Sequence, residues 1–307
     1  MTDRAGTVRP GVTVTEVGLR DGLQLEDVRL ATEDKARLVG ALAEAGLRRI
    51  EVGSFVSAKA VPSMADTGAV LALVPRRSDV EYQVLVANER GVDDALAAGA
   101  GALNVVVAAT ETMNQRNVRR SVDESVSVLA DAVKRAGDVP VAAILAVAFR
   151  CPYEGPVDPA RARVLAERLV DSGAARVTLA DTVGAADPDA VRHLVAAVRE
   201  RRPEVELGFH GHDTRGLGVA NVLAGVEAGL DGVDASVGGL GGCPFAGRGA
   251  SGNVASEEVV GLLDAVGIPS GIDLDRLAAV GVELEELLGH PLPSRRLALY
   301  KATGSAR

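Results

Sequence analysis

A chain of 307 residues with 47% hydrophobic content is long enough to bury the core of one (β/α)8 barrel or of two smaller domains. Its formal net charge of −9 argues against a nucleic-acid-binding protein, because neutralising phosphates requires a basic face. The sequence shows no signal peptide, no apolar run of about eighteen residues and only two cysteines, so we expect a cytoplasmic protein without a membrane span or a disulfide framework.

Short β-branched runs alternate with Ala/Leu-rich helical patterns along the chain. Helical patterns at 34–45, 60–74 and 89–98 separate the first four of these runs. The eight runs, which we predict to be β-strands, span residues 12–17, 49–52, 81–86, 102–108, 139–148, 176–179, 206–212 and 232–237.

Each predicted strand is nearly all apolar, which is typical of a parallel strand buried on both faces. Eight strand–helix units predict an α/β fold, a (β/α)8 TIM barrel over about residues 12–267. A doubly wound open sheet is the alternative. No Pro/Ser-rich linker divides the chain, so we expect one catalytic domain over residues 1–307, with residues 268–307 as a C-terminal helical extension beside the barrel.

Two of the four histidines lie one residue apart at the end of the seventh predicted strand. Because side chains alternate along a strand, His210 and His212 share one face, where both imidazoles could reach one metal ion. The alternative is a pair of strand histidines that make ordinary hydrogen bonds.

Polar residues concentrate where the predicted strands end, which is where a TIM barrel carries its chemistry. They are Glu16, Arg20 and Asp21 after the first strand, Glu51 and Ser54 at the second, Asp181 and Thr182 after the sixth, and His210, His212 and Asp213 at the seventh.

A glycine-rich loop, residues 238–253, follows the eighth strand and contains Cys243. So many glycines allow close backbone approach to a ligand and movement as a lid, although a flexible connector is the alternative. Asp21 with the two histidines would give an open ligand set, to which Asn253 could add an amide oxygen. Such a set favours Mg²⁺ or Mn²⁺ over a structural zinc site.

Asp213 falls on the opposite strand face from the histidines. We therefore expect Asp213 to hydrogen-bond a residue that binds the ion or to cap a helix, rather than to bind the ion itself.

Six segments carry a family resemblance that runs from about residue 12 to residue 290. The chain resembles the hydroxymethylglutaryl-CoA lyases, which belong to the metal-dependent TIM-barrel lyases with an RDG motif. The RDGLQ sequence points to the lyase branch, because condensing synthases of this kind usually have Glu at the position of Leu23. The segments read VTVTEVGLRDGLQLE, IEVGSFVSAKAVPSMADT, CPYEG, LADTVGAADP, FHGHDTRGLGVAN and VDASVGGLGGCPFAGRGASGNVASEE.

The resemblance implies a divalent cation held by Asp21, His210, His212 and Asn253. It implies that this site cleaves 3-hydroxy-3-methylglutaryl-CoA to acetyl-CoA and acetoacetate by retro-Claisen/retro-aldol chemistry. The family's usual setting is leucine degradation and ketone-body formation. Lyases for other 3-hydroxy-3-alkylglutaryl-CoAs, aldolases, condensing synthases and a non-catalytic metal-binding barrel are the alternatives.

The same resemblance assigns roles to further residues. Arg20 would neutralise the thioester enolate oxygen, and Cys243 would be the acid that protonates the enolate carbon. The base that takes the hydroxyl proton is Asp21, His210 or water. Glu51 and Asp181 would lie near the metal and substrate, Glu257 would follow Asn253 by about one helical turn, and Gln24, Ser54 and Asn117 are expected substrate contacts.

Each catalytic assignment has a structural alternative. Arg20 could form a salt bridge with Asp21, Glu51 and Asp181 could make structural hydrogen bonds, and Cys243 could be a small buried residue.

Two features depart from the family pattern. The spacing from Cys243 to Asn253 is one residue longer than the family pattern. The resemblance therefore does not fix which acyl group the substrate carries. Arg116, Arg119 and Arg120 occupy a less apolar segment than in the family, and we expect them to attract the CoA phosphates. An acyl-CoA substrate is thus the expected partner, together with further copies of the chain in a homodimer or higher homo-oligomer.

Overall fold

Eight parallel strands close into a barrel in the computed structural model, which describes residues 11–242 and 252–307. A short antiparallel hairpin, β6 with β7, stands outside the barrel. The strands are β1 (Thr13–Glu16), β2 (Arg49–Phe55), β3 (Glu81–Val86), β4 (Ala102–Ala108), β5 (Val141–Ala146), β6 (Arg150–Cys151), β7 (Gly155–Pro156), β8 (Arg176–Asp181), β9 (Glu206–Gly211) and β10 (Gly232–Ala235). Around the barrel the order is β1, β10, β9, β8, β5, β4, β3, β2, with β2 pairing again with β1.

The closed sheet confirms the predicted TIM barrel and excludes the doubly wound open sheet. Helices lie around it. They are α1 (Thr32–Glu44), α2 (Thr67–Leu73), α3 (Glu89–Ala97), α4 (Glu111–Val118), α5 (Val122–Ala136), α6 (Pro159–Asp171), α7 (Pro188–Arg201), α8 (Gly218–Glu227), α9 (Ser256–Ala265), α10 (Leu274–Leu288) and α11 (Arg295–Thr303). In the described part of the chain, no helix is long and apolar enough to cross a membrane.

Two predicted elements are shorter in the structure. The helix predicted at 60–74 begins only at Thr67, after a single 3₁₀ turn, Pro62–Met64, whose proline lacks the N–H that an interior helical position would donate. The strand predicted at 139–148 ends at Ala146, because Val147 adopts a left-handed backbone with φ of 51°.

The interior of the barrel is more polar than the nearly apolar strands suggest. Residues such as Phe209 on the outer face are fully buried against the helices. On the inner face, Arg176 donates to Gln83 at 3.0 Å and Arg49 donates to Glu206 at 2.6 Å. These side chains line a small chamber of about 20 Å³ near the amino ends of the strands.

The C-terminal segment packs against the loops that follow β1 and β10. The backbone N–H of Ser294 donates to the carbonyl of Gly238 at 3.0 Å, just after β10. His290 lies 2.9 Å from a carboxylate oxygen of Glu26, which follows the first strand. The extension therefore braces the carboxyl-terminal face of the barrel.

Candidate active site

Three ionisable side chains converge at the carboxyl end of the barrel. One ligand atom from each of Asp21, His210 and His212 lies within 4.8 Å of the other two. The Nε2 atoms of the two histidines are 3.2 Å apart, and Oδ2 of Asp21 is 4.0 Å from Nε2 of His210. The predicted pair of imidazoles on one strand face therefore points at a common position together with a carboxylate.

Different elements bring these groups together. Asp21 lies in an irregular helical turn, Gly18–Gly22, in which its N–H donates to the carbonyl of Val17 at 2.7 Å. His210 is the penultimate residue of β9, and His212 follows the last residue.

Asn253 reaches the cluster through backbone pairing. It forms an isolated antiparallel bridge with His212, and the N–H of Val254 donates to the carbonyl of Gly211 at 3.0 Å. Gly252 makes this approach possible, because a Cβ there would lie 2.3 Å from the carbonyl oxygen of Gly239.

The side chain of Asn253 completes a donor set that fits a divalent cation. Its Nδ2 donates to Oδ2 of Asp21 at 3.0 Å and to the carbonyl of Leu240 at 3.2 Å. Its Oδ1 is buried and has no hydrogen-bond partner among the described residues. A buried amide oxygen left without a partner is costly unless it serves a ligand. Two imidazoles, a carboxylate and this oxygen form a mixed nitrogen and oxygen donor set that suits a divalent cation.

Arg20 and Glu51 form a buried ion pair beside the cluster. The guanidinium Nε of Arg20 donates to Glu51, and Nη1 donates to Asp21. The other oxygen of Glu51 accepts from Nδ2 of Asn104 at 2.7 Å. Burial would lower the pKa of Arg20, but Glu51 and Asp21 outweigh it and raise that pKa, so the guanidinium stays charged.

The same charges set the protonation of the cluster. Burial would raise the pKa of Asp21, but Arg20 and the imidazoles hold it well below its usual range. Burial, followed by the neighbouring His210, lowers the pKa of His212 to about 4. Burial opposes the charged form of His210 as well, yet Asp234 and Asp21 raise its pKa. Burial raises the pKa of Glu51.

A cavity of about 870 Å³ opens above these residues. Arg20, Asp21, His210 and His212 form part of its wall. The three expected substrate contacts line it too, as do four basic side chains; these residues are Gln24, Ser54, Asn117, Lys59, Arg116, Arg119 and Arg120.

Three other predicted residues are held by backbone N–H groups. Asp181 accepts from Ala185 and Ala186, both at 2.9 Å, and so closes the loop after β8. Asp213 accepts at 2.7 Å from the N–H of Gly218, the first residue of α8, and so satisfies an N–H at the start of that helix.

Glu257 accepts from the N–H of Gly238 at 3.0 Å and is fully buried. Burial raises the pKa of Glu257 to about 8. Its contact supports the turn that leads into the glycine-rich loop. Cys243 lies outside the described residues; the preceding Gly242 lines the cavity, and the role of the thiol stays a prediction.

Sequence reasoning missed three residues near the site, namely Lys59, Asn104 and Asp234. The signal for two of them is visible in retrospect. Asn104 interrupts the apolar run of β4, and Asp234 interrupts that of β10. A polar residue inside an otherwise buried strand needs a partner, and here the partners are Glu51 and His210.

Comparison with known proteins places the chain in a family. The HMGL-like family matches residues 11–282. The chain is 39% identical over 296 residues to hydroxymethylglutaryl-CoA lyase YngG of Bacillus subtilis, covering 95% of this chain and 98% of that protein. It is also 39% identical over 296 residues to (R)-citramalyl-CoA lyase of Chloroflexus aurantiacus, covering 92% and 93%.

A solved structure agrees with these matches. An HMG-CoA lyase from Acinetobacter baumannii, in complex with coenzyme A and 3-methylmalate, superposes with a TM-score of 0.89 at 40% identity, covering 96% of this chain and 95% of that one. The chain therefore belongs to the family of the hydroxymethylglutaryl-CoA lyases and their HMGL-like relatives.

Proposed function

We propose that this protein cleaves 3-hydroxy-3-methylglutaryl-CoA to acetyl-CoA and acetoacetate with the help of Mg²⁺ or Mn²⁺. The observation that carries the proposal is the convergence of Asp21, His210, His212 and Asn253 beside the buried Arg20 on the wall of a large cavity. Release of acetoacetate would place the reaction in leucine degradation and ketone-body formation.

Arg20 would stabilise the charge that develops when the carbon–carbon bond breaks. The electron pair of that bond moves into the acetyl thioester and gives an enolate, whose oxygen needs a fixed positive charge. Glu51 and Asp21 engage two of the three guanidinium nitrogens, which leaves Nη2 for the enolate oxygen. Because Arg20 is held in place before substrate arrives, little reorganisation is needed during the reaction.

The ion site would act on the other half of the substrate. A divalent cation held by Asp21, His210, His212 and Asn253 would lower the pKa of the tertiary hydroxyl. Because the cation would occupy Nε2 of His210, we assign the hydroxyl proton to the carboxylate of Asp21 or to water, and the charge of Arg20 makes Asp21 a weak acceptor.

A proton must then reach the enolate carbon to release acetyl-CoA. We assign this step to the thiol of Cys243, which donates a proton and forms no covalent bond with substrate. The assignment rests on the position of Gly242, one residue earlier, in the cavity wall. A positioned acid of this kind contributes roughly 10²–10⁴-fold to the rate.

The basic side chains of the cavity suit the anionic part of an acyl-CoA. Lys59, Arg116, Arg119 and Arg120 contribute four positive charges to a wall in a protein that carries a net charge of −9. Arg120 is anchored by donation to the carbonyl of Ala87 at 2.8 Å, and Arg116 stacks 4.3 Å above the ring of Tyr153. We assign the CoA phosphates to this wall.

A second candidate is the cleavage of (R)-citramalyl-CoA. The match to the Chloroflexus enzyme is as high as the match to the Bacillus lyase, which is the observation that favours it. In citramalyl-CoA the carboxylate is attached directly to the carbinol carbon, so the same bond cleavage releases pyruvate instead of acetoacetate.

A substrate panel separates the two candidates. The enzyme is incubated with Mg²⁺, Mn²⁺ or EDTA and with 3-hydroxy-3-methylglutaryl-CoA, its longer 3-alkyl homologues or citramalyl-CoA. Acetyl-CoA, acetoacetate and pyruvate are then measured. We expect acetyl-CoA and acetoacetate in equal amounts and only with the cation; cleavage of citramalyl-CoA alone would move the assignment to the second candidate, and no cleavage of any substrate would refute both.

We also propose that the protein works as a homodimer or higher homo-oligomer. Light scattering coupled to gel filtration measures the mass directly against the 31.5 kDa of one chain. A mass of one chain at assay concentration would refute this assignment.

A further inference from the structure

The two histidines of the ion site differ in what lies behind them. Nε2 of each ring faces the shared position, but the far nitrogens have different surroundings. Nδ1 of His210 is 3.4 Å from Oδ2 of Asp234. Both Nδ1 atoms are buried and neither has a hydrogen-bond partner of regular geometry among the described residues, so the nearby carboxylate of Asp234 is what distinguishes the surroundings of the His210 ring.

The strand register places Asp234 beside His210. Parallel pairing of β9 with β10 sets Asp234 directly beside His210, and both side chains point into the barrel. Within residues 11–242 and 252–307, His210 is the one basic side chain within 4.0 Å of the Asp234 carboxylate. A largely buried carboxylate is costly unless it is paired, so its presence in an otherwise apolar strand calls for a reason.

We infer that Asp234 is a positioning residue of the ion site, which holds the Nδ1–H of His210 and so directs the lone pair of Nε2 at the cation. A carboxylate behind a ligating imidazole fixes the ring orientation and the tautomer, and it makes the imidazole a better donor. Asp234 itself touches neither the substrate nor the ion.

Asp234 lies between the ion site and the small polar chamber inside the barrel. Its carboxylate faces His210 above and lines the small polar chamber below, together with Thr15 on the neighbouring strand. Thr15 is buried and is the register partner of Asp234, but it belongs to the chamber and does not line the upper cavity. Thr15→Val therefore changes the same layer without touching the imidazole, and it provides a matched control.

The test measures metal binding, independent of turnover. The dissociation constant of Mn²⁺ is determined by electron paramagnetic resonance for the intact chain and for Asp234→Ala, Asp234→Asn and Thr15→Val. Loss of a carboxylate behind a ligating histidine costs about 10- to 100-fold in affinity. We expect that loss for Asp234→Ala, a smaller loss for the isosteric Asp234→Asn, which keeps an acceptor oxygen, and the unchanged constant for Thr15→Val.

Long-range ¹H–¹⁵N spectra of the Mg²⁺-loaded protein report the tautomer itself. We expect the proton of His210 on Nδ1 in the unaltered protein and in Thr15→Val, and a shifted Nδ1 resonance in Asp234→Asn. Asp234→Asn also keeps the test valid if Asp234→Ala does not fold.

The inference rests on the proposed ion site, and the outcomes separate the two. Failure of the unaltered protein to bind Mn²⁺ would overturn both. Tight Mn²⁺ binding that is equal, within twofold, in the unaltered protein and both Asp234 variants would leave the ion site in place and overturn the role of Asp234 alone. An equal loss in Thr15→Val would also overturn it, because the effect would then belong to the chamber.

Discussion

Replacing Glu257 by glutamine should change how the stability of the protein depends on pH. The carboxylate is fully buried and accepts from the N–H of Gly238, and glutamine keeps an acceptor oxygen of the same shape there. Burial raises the pKa of Glu257 from 4.5 to about 8, and the nearby carboxylates of Glu258 and Glu16 add to the effect. The folded protein therefore keeps this proton in a range where the unfolded chain has released it.

The sign and size of the effect follow from proton linkage. Between about pH 4.5 and pH 8 the folded state binds one proton more than the unfolded state at this residue, so the free energy of unfolding falls as the pH rises. One proton corresponds to about 1.4 kcal/mol per pH unit. Glu257→Gln removes this contribution, so its stability relative to the unaltered protein should rise by about 3 kcal/mol from pH 5.5 to pH 7.5.

Urea unfolding followed by circular dichroism at pH 5.5, 6.5 and 7.5 measures this difference. Glu200→Gln, which removes an exposed carboxylate from α7, serves as the matched control. The reasoning is refuted if the difference between Glu257→Gln and the unaltered protein is the same at all three pH values. Glu16, whose pKa burial raises to about 7, should behave in the same way over a narrower range when it is replaced by glutamine.

Three further changes probe other parts of the account. Arg20→Lys should lower kcat by about 10²–10³-fold in a steady-state assay, because an ammonium cannot hold Glu51 and the enolate oxygen as a planar fork does; an unchanged kcat would contradict the role of the guanidinium. Cys243→Ala should lower kcat by roughly 10²–10⁴-fold while acyl-CoA affinity, measured by calorimetry, stays the same; intact turnover would rule out the acid role. Glu26 raises the pKa of His290, so their ion pair stabilises the fold below about pH 6.5 and is lost as the pH rises through the higher folded-state pKa. Because His290 is 42% exposed, His290→Gln should cost less than about 1 kcal/mol in urea unfolding at pH 6, and an equal cost at pH 9 would argue against a charged pair.

The barrel and three of the four residues of its proposed ion site were predictable from local patterns. Period-two spacing was enough to place His210 and His212 on one face, and strand ends were enough to place Asp21 near them. Asn253 was different, because its position depends on an antiparallel bridge to His212 that forms across the glycine-rich loop. The sequence alone offered Asn253 as an additional oxygen donor at the end of that loop, and the family resemblance assigned it to the ligand set.

There is a physical reason why the sequence did not reveal which side chains face the inside of the barrel. A parallel strand of a closed barrel is buried on both sides, so hydrophobicity does not tell which side faces the interior. The partners of Asn104 and Asp234 lie on neighbouring strands, and they follow from register, which a single sequence does not encode locally. For Asp181 the position was predicted but the contacts were not. It lies at a strand end as expected, but the backbone N–H groups of its own turn donate to both of its carboxylate oxygens.

The central claim is that a cation held by Asp21, His210, His212 and Asn253 drives carbon–carbon cleavage in this protein. Its most direct test is the rate of acetyl-CoA release from 3-hydroxy-3-methylglutaryl-CoA by EDTA-treated enzyme, as Mg²⁺ or Mn²⁺ is added back. We predict no release without the cation, saturable recovery with it, and a loss of that recovery in His212→Ala when circular dichroism shows the fold intact. Full activity in EDTA, or recovery in His212→Ala at the same cation concentration as in the unaltered protein, would contradict the account.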